Sequence, residues 1–410
     1  MPYTPPPEIL ERYADLLVNY ALGGGSGIRP GDVVRVVGED DAKPLFAEVV
    51  KAVWGAGGHA MQMLRIADSD PSRLNRAFYE LGSPAQLSYF PAQYWRGLVD
   101  EVNHDIHIMS GGDPRIFDGI DAERLLAKRR AHRPMMEWQD AKENAGRFSW
   151  TMAQYATPGL AAEANMSVEE YWEQVIKACF LDDPDPIARW REVEAQLSAH
   201  RRRLDALAVR RVHLVGQDLD LRLTIGEKRR WKDAVGINIP SFEIYTTPDW
   251  RGTEGWIRFS EPLYAYGSLV KGIRLEFTAG LVTSATADQN QQLLRTLIAT
   301  EGADRLGEFS LTDARLSPIG RFMANTLFDE NAGGPFGNTH VALGQSYKDV
   351  YDGDPSLVSD EEWERLGFNE SAVHTDIIST TDRTVTAELA DGASRVIYAG
   401  GRFELDDVVA

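Results

Sequence analysis

Glutamates, histidines and one aspartate recur in ordered succession through the C-terminal half of the chain. Glu243 stands in NIPSFE, Glu308 in LGEFSL and Glu330 in LFDEN. His340 follows in NTHVALG, and His374 and Asp376 close the series in SAVHTD. Carboxylates and neutral imidazoles together form the ligand sets of hydrolytic metal sites. Two divalent ions about 3.5–4 Å apart need at least one bridging carboxylate and several terminal ligands. Glu243, Glu308 and Asp376 supply acids for such a set, His340 and His374 supply imidazoles, and Glu330 is a sixth group. A site for one ion needs only three of these, so the number favours two. Mixed nitrogen and hard oxygen donors suit Zn, Co or Mn better than Mg or a thiolate-preferring metal.

Taken singly, the same residues have plainer roles. Glu243 fits a turn acid, His340 a packed strand histidine, and Glu308 and Glu330 solvated surface acids. His374 and Asp376 are separated by one residue, so an extended strand turns both to one face. A second constellation, Asn103-His104-Asp105-Ile106-His107, spaces its histidines three apart. A strand points that pair to opposite faces and only a helix brings it together. It reads as the end of a strand or loop with no metal role. His59, His132, His200 and His213 have no partner pattern and read as structural or exposed.

The elements that must position these groups are legible in part. Ile9, Leu10, Tyr13, Leu16, Leu17 and Tyr20 share one helical face. The β-branched run Val33–Val37, helical spacing over Lys43–Val53 and an apolar stretch at Met61–Leu64 form a βαβ unit and imply a parallel sheet. GGGSG precedes that first strand and lacks a Gly-Lys-Ser/Thr ending, so it reads as a flexible turn and not a phosphate loop. Residues 121–207 read as mainly helical, with Ser167 and Glu170 spaced as a capping box. After Leu207 alternation takes over in RRVHLVGQDLDLRLTI, with further strands at 255–259, 275–277, 384–389 and 394–399 and a helix at 287–299. The expected class is α/β: an N-terminal domain, residues 1–207, with βαβ units and helices, then a C-terminal α+β metal-binding catalytic domain, 208–410.

Composition narrows the function classes. A 410-residue chain of 43% hydrophobic and 10% aromatic content is globular and long enough for two domains. A formal charge of −19 disfavours nucleic acid, which needs clustered Lys and Arg. The short basic runs at 128–130, 201–203 and 228–230 read as solvated surface. One cysteine, Cys179, gives no disulfide framework and sits in no thiol-nucleophile motif. No window of about 18 apolar residues supports a membrane span, and the N-terminus lacks the layout of a signal peptide. The expected location is cytoplasmic.

The phrases NIPSFEIYTTP, LGEFSL, TLFDENAGGPFGNTHVALGQSY and NESAVHTDII together resemble the thermophilic-type aminopeptidases, the M29 family of metallopeptidases. The resemblance covers nearly all of the C-terminal half in order. The N-terminal half agrees more loosely, through the PGD opening of the first strand and DDPDPIARW. It implies that Glu243, Glu308, His340, His374 and Asp376 hold a cocatalytic metal pair bridged by Glu308. It also implies that Tyr347, in GQSY, is the active-site tyrosine. Glu330 would be either a further ligand or the general base. One departure bears on it: Glu330 and His340 are joined by NAGGPFGNT, longer than the family's short NAAC-like link, which puts the distance of Glu330 from the metals in question.

The resemblance further implies removal of N-terminal residues from peptides with a free N-terminus, by hydroxide generated on a dinuclear centre in a homodimer. Tyr347 would stabilise the oxyanion, and Glu308 or Glu330 would move the proton to the leaving amine. Two alternatives use the same residues differently. A ring-cleaving dioxygenase of related fold would hold one iron with His340, His374 and Asp376, leaving Glu243 and Glu308 unexplained. A non-catalytic binding protein would hydrolyse nothing.

Overall fold

Val33–Glu39 forms β1, with Val34 and Val36 fully buried. The helix Lys43–Gly55 then leads into His59–Arg65 (β2), which pairs parallel to β1 and completes the expected βαβ unit. His104–Met109 (β3) and Ser149–Gln154 (β4) extend the sheet, all parallel, in the order β2-β1-β3-β4. The structure is a computed structural model that describes residues 3–67, 69, 71–113, 115–233, 238–265 and 267–409. GGGSG lies in the turns ahead of β1, as its composition predicts.

β4 is the departure from a mainly helical 121–207. The helix Ala122–Asn144 ends near Gly146, and six residues then run beside β3. Thr151 and Ala153 are buried on one face of β4, while Trp150, Met152 and Gln154 occupy the other. That alternation is short and flanked by helical spacing on both sides, which masks it in the sequence. The capping box is present: Glu170 N–H donates to Ser167 Oγ at 3.1 Å, and Ser167 N–H donates to Glu170 Oε2 at 2.7 Å.

The helix Pro186–Ala206 gives way at Val209 to antiparallel structure. An eight-stranded sheet contains Val209–Gly216, Leu219–Thr224, Asp249–Arg258, Arg274–Thr278, Arg383–Leu389 and Ser394–Ala399, covering the strands expected from alternation. The helix expected at 287–299 spans Gln291–Ile298. One buried cluster runs through both halves, from Leu10 to Leu405.

A five-stranded sheet supplies the site. Glu243–Thr246 (β5), Leu306–Thr312 (β6), Asn338–Gly344 (β7) and His374–Ser379 (β8) pair antiparallel in the order β8-β7-β6-β5, with the short strand Lys232–Asp233 beyond β5. Phe309 and Leu311 of β6, Val341 and Leu343 of β7 and Ile377 of β8 bury one face in the core. The period of two then forces Glu308, His340, His374 and Asp376 onto the opposite face.

Candidate metal centre

Register brings the separated motifs together. Thr312 on β6 pairs with Glu243, Ser310 with His340, and Glu308 with Ala342. Ala342 pairs in turn with Asp376, and Gly344 with His374. Glu308 and Asp376 therefore flank Ala342, whose methyl leaves the space above it open. Gly344 is fixed by its surroundings: its φ is +106°, and a Cβ there would lie 2.0 Å from the Val373 carbonyl oxygen.

Two groups of potential ligand atoms result, each lying within 4.8 Å of one another. One is Glu243, Glu308 and His340; the other is Glu308, His374 and Asp376. His340 Nε2 is 3.1 Å from Glu243 Oε2 and 3.5 Å from Glu308 Oε1. His374 Nε2 is 3.0 Å from Glu308 Oε2 and 3.3 Å from Asp376 Oδ1. Glu308 is common to both groups and turns a different oxygen to each histidine.

Partners behind the cluster orient it. His374 Nδ1 lies 2.8 Å from the Gln345 carbonyl oxygen, which can only accept, so Nδ1 carries the hydrogen and Nε2 faces the carboxylates. Ser310 Oγ donates to Glu243 Oε2 at 2.7 Å. Ser310 was not singled out in the sequence, although it sits two residues after Glu308 on the same strand face.

The electrostatics follow from burial among opposed charges. Burial alone would lower the pKa of His340, but Glu243 and Glu308 outweigh it and raise the ring well above its ordinary value. His374 behaves likewise, with Asp376 and Glu308 outweighing burial. Burial pushes the Glu308 carboxyl up, yet its contacts with both histidines hold it below the usual glutamate value. Asp376 is also held low against burial, chiefly by His374. Its Oδ1 is buried and meets His374 Nε2 at 3.3 Å. Carboxylate oxygens and imidazole nitrogens crowded this closely fit a divalent cation, which would compensate the clustered negative charge.

Glu330 does not drift away along the lengthened link. It closes the one-turn helix Thr326–Asp329, donating its N–H to the Thr326 carbonyl at 2.9 Å. Asn331 Oδ1 accepts from Phe242 N–H at 2.6 Å, and Asn338 Nδ2 donates to the Asp329 carbonyl at 2.6 Å. These bonds tie the DEN turn to the starts of β5 and β7, and the link is exposed only at Gly334, Pro335 and Phe336. Glu330 lines the same cavity as the five other groups but belongs to neither triad. Burial, then the charges of Asp376 and Glu243, push its carboxyl well above the usual range. The Tyr347 ring packs 4.6 Å from that of His374, and burial with the nearby Glu308 charge raises its hydroxyl, which stays protonated.

The cavity in front of the cluster has a volume of about 950 Å³, and another part of its wall is formed by β3, β4 and the helix Ala122–Asn144. That wall carries two acids the sequence did not mark: burial pushes Asp140 up to about 6 and Glu143 to about 7. The NHDIH segment forms β3 rather than a metal site. His104 is tied to Ser149 Oγ at 2.8 Å and Asp32 Oδ2 at 3.0 Å, while His107 lines the cavity on the other strand face. No helix among the described residues is long and apolar enough to cross a membrane.

The chain is similar to Aminopeptidase T of Thermus thermophilus, 31% identical over 97% of this chain and 99% of the relative. It is similar to Aminopeptidase PepS of Streptococcus thermophilus, 28% identical over 96% of this chain and 97% of the relative. The solved structure of wild-type AmpT from Thermus thermophilus shares the fold, with a TM-score of 0.80 at 24% identity over 97% of this chain and 99% of that one. The model of the family described as Thermophilic metalloprotease (M29) matches residues 7–403. The chain therefore belongs to the M29 family of thermophilic metalloproteases, metal-dependent hydrolases of peptide bonds.

Proposed function

We propose that the chain is an aminopeptidase that removes N-terminal residues from peptides through a dinuclear metal centre. The observation that carries this is buried Glu308, shared between two triads of potential ligand atoms. Glu243, Glu308 and His340 would hold one ion, and Glu308, His374 and Asp376 the other, with Zn, Co or Mn suited to the donors. Bound there, the ions would supply Lewis acidity for the scissile carbonyl and lower the pKa of water toward about 7. Among relatives the name aminopeptidase recurs, which supports an exopeptidase.

The chain's own residues would do the rest. The free amine of the substrate would be bound at this cluster. The protonated Tyr347 hydroxyl donates to the carbonyl oxygen as negative charge develops there. Glu330, in the same cavity, would take a proton from the nucleophile once bound cations favour its carboxylate form, and return it to the leaving amine. A single-iron oxygenase built on His340, His374 and Asp376 would leave Glu308 lodged between the two imidazoles without a role.

A homodimer and a cytoplasmic location belong to the same proposal, with 1–207 and 208–410 as its two domains. The dimer is supported by exposed apolar side chains on and just after the edge strand β2 and on the helix Leu74–Leu81, including Leu64, Ile66, Leu74 and Leu81. The single buried Cys179 suits a reducing compartment. Assay on a panel of aminoacyl chromogenic substrates and N-acetylated controls tests the activity. Cleavage of free-amine substrates alone is expected, and equal cleavage of blocked ones would refute an exopeptidase.

A further inference from the structure

Asp105, His107 and Met109 share one face of β3 and line the same cavity as the ligand cluster. The Asp105 side chain is 2% exposed, and its carboxylate is pinned. Arg35, its register partner on β1, donates from Nε to Oδ1 at 2.8 Å and makes a second contact to Oδ2. Gln139 Nε2 donates to the same Oδ2 at 3.2 Å. His107 Nε2 stands 3.5 Å from that oxygen, while its side chain is 41% exposed toward the cavity. A buried, immobilised carboxylate thus braces an imidazole that is otherwise open.

The rest of the wall makes this group distinctive. Asp113, Asp140, Glu143 and Asp349 add further carboxyl groups to a cavity that already contains the ligand carboxylates. Apart from His340 and His374, the basic side chains on the described wall are His107 and Lys348. Lys348 Nζ is held by Glu370 at 2.6 Å. His107 is therefore the basic group left open to a ligand. A short peptide brings an ammonium at one end and a carboxylate at the other. In the proposed reaction the free amine lies at the ligand cluster, which leaves the carboxylate end to be held elsewhere in the cavity.

We propose that His107, braced by Asp105, binds the C-terminal carboxylate of a short peptide whose N-terminus lies at the metal-ligand cluster. His107 Nε2 faces Asp105, which leaves Nδ1 as the ring atom that donates to the peptide carboxylate. The cavity volume lies in the range for small ligands and suits peptides of a few residues. The enzyme would favour short free peptides over amidated ones. This inference rests on the aminopeptidase proposal.

The test compares a tripeptide with its C-terminal amide on the metal-loaded full chain, for wild type, His107→Gln and His107→Lys. In wild type the amide should show a KM about tenfold higher than the free acid, with kcat nearly unchanged, the size of one charged hydrogen bond. His107→Gln should raise KM for the free acid to that of the amide, and His107→Lys should restore the preference. Equal KM for acid and amide in wild type overturns the proposal whatever the variants do. Preference surviving in His107→Gln also overturns it. In both cases cleavage itself continues, and the aminopeptidase proposal stands; absence of cleavage of either peptide would overturn both.

Discussion

Glu308 and His374 sit two strands apart, yet Glu308 Oε2 and His374 Nε2 approach to 3.0 Å. The strand between them presents Ala342 and Gly344 at the facing positions, and neither side chain blocks the approach. The other Glu308 oxygen faces His340, so one carboxylate couples two clusters that are otherwise separate.

Glu308→Gln should consequently cost more than loss of a single terminal ligand. It removes charge from both triads, and activity should fall by at least about 10³ with both ions weakened together. His340→Ala should weaken one ion more than the other. Metal content after dialysis distinguishes the variants; a Glu308→Gln protein that keeps full metal content would count against the bridging role.

Metal uptake should release protons. Without metal, contacts with carboxylates raise both His340 and His374 above their ordinary pKa, so near neutrality each Nε2 carries a proton that a cation must displace. Calorimetry in buffers of differing ionisation enthalpy should record release of up to about two protons per chain near pH 7. Affinity should weaken as pH falls. Uptake without proton release would mean that the histidines are not ligands.

Tyr347→Phe should leave metal content and KM nearly unchanged and lower kcat by about 10²–10³, the usual cost of one oxyanion donor. The ring contact with His374 survives in Phe, so folding should be preserved. A rise in KM at constant kcat would instead assign Tyr347 to ground-state binding.

Glu143 offers a pH signature of stability. Burial raises its folded pKa from 4.5 to about 7, so the native state holds this proton more tightly than the unfolded chain. Stability from this group is full below about pH 4.5 and is lost as pH rises through about 7. Glu143→Gln should therefore stabilise the protein at pH 8 by about 1–2 kcal/mol, the shift being discounted for water in the cavity, and change little at pH 5. Thermal unfolding at the two pH values checks this; equal effects at both would show that Glu143 titrates normally.

The site was legible to different depths in different places. Glu243, Glu308, His340, His374 and Asp376 stood in ordered motifs on strands whose period of two decides their face. Glu330 was uncertain because only the hydrogen bonds of Asn331 and Asn338 show that the DEN turn stays tied to β5 and β7 despite the longer link. Ser310 and the Gln345 carbonyl escaped notice because their importance is set by pairing across strands. No sequence pattern sets Asp140 and Glu143 apart within a helical stretch, and only docking of Ala122–Asn144 against the cavity encloses them. β4 was hidden because six alternating residues between helices carry too little pattern to outweigh their neighbours.

The central claim is that two ions share Glu308. Metal-free chain should be titrated with Zn, Co or Mn while bound metal per chain and aminopeptidase activity are followed on the same sample. Two ions per chain are predicted, both lost on Glu308→Gln, with full activity only when both are bound. Saturation of metal and activity at one ion per chain would contradict it.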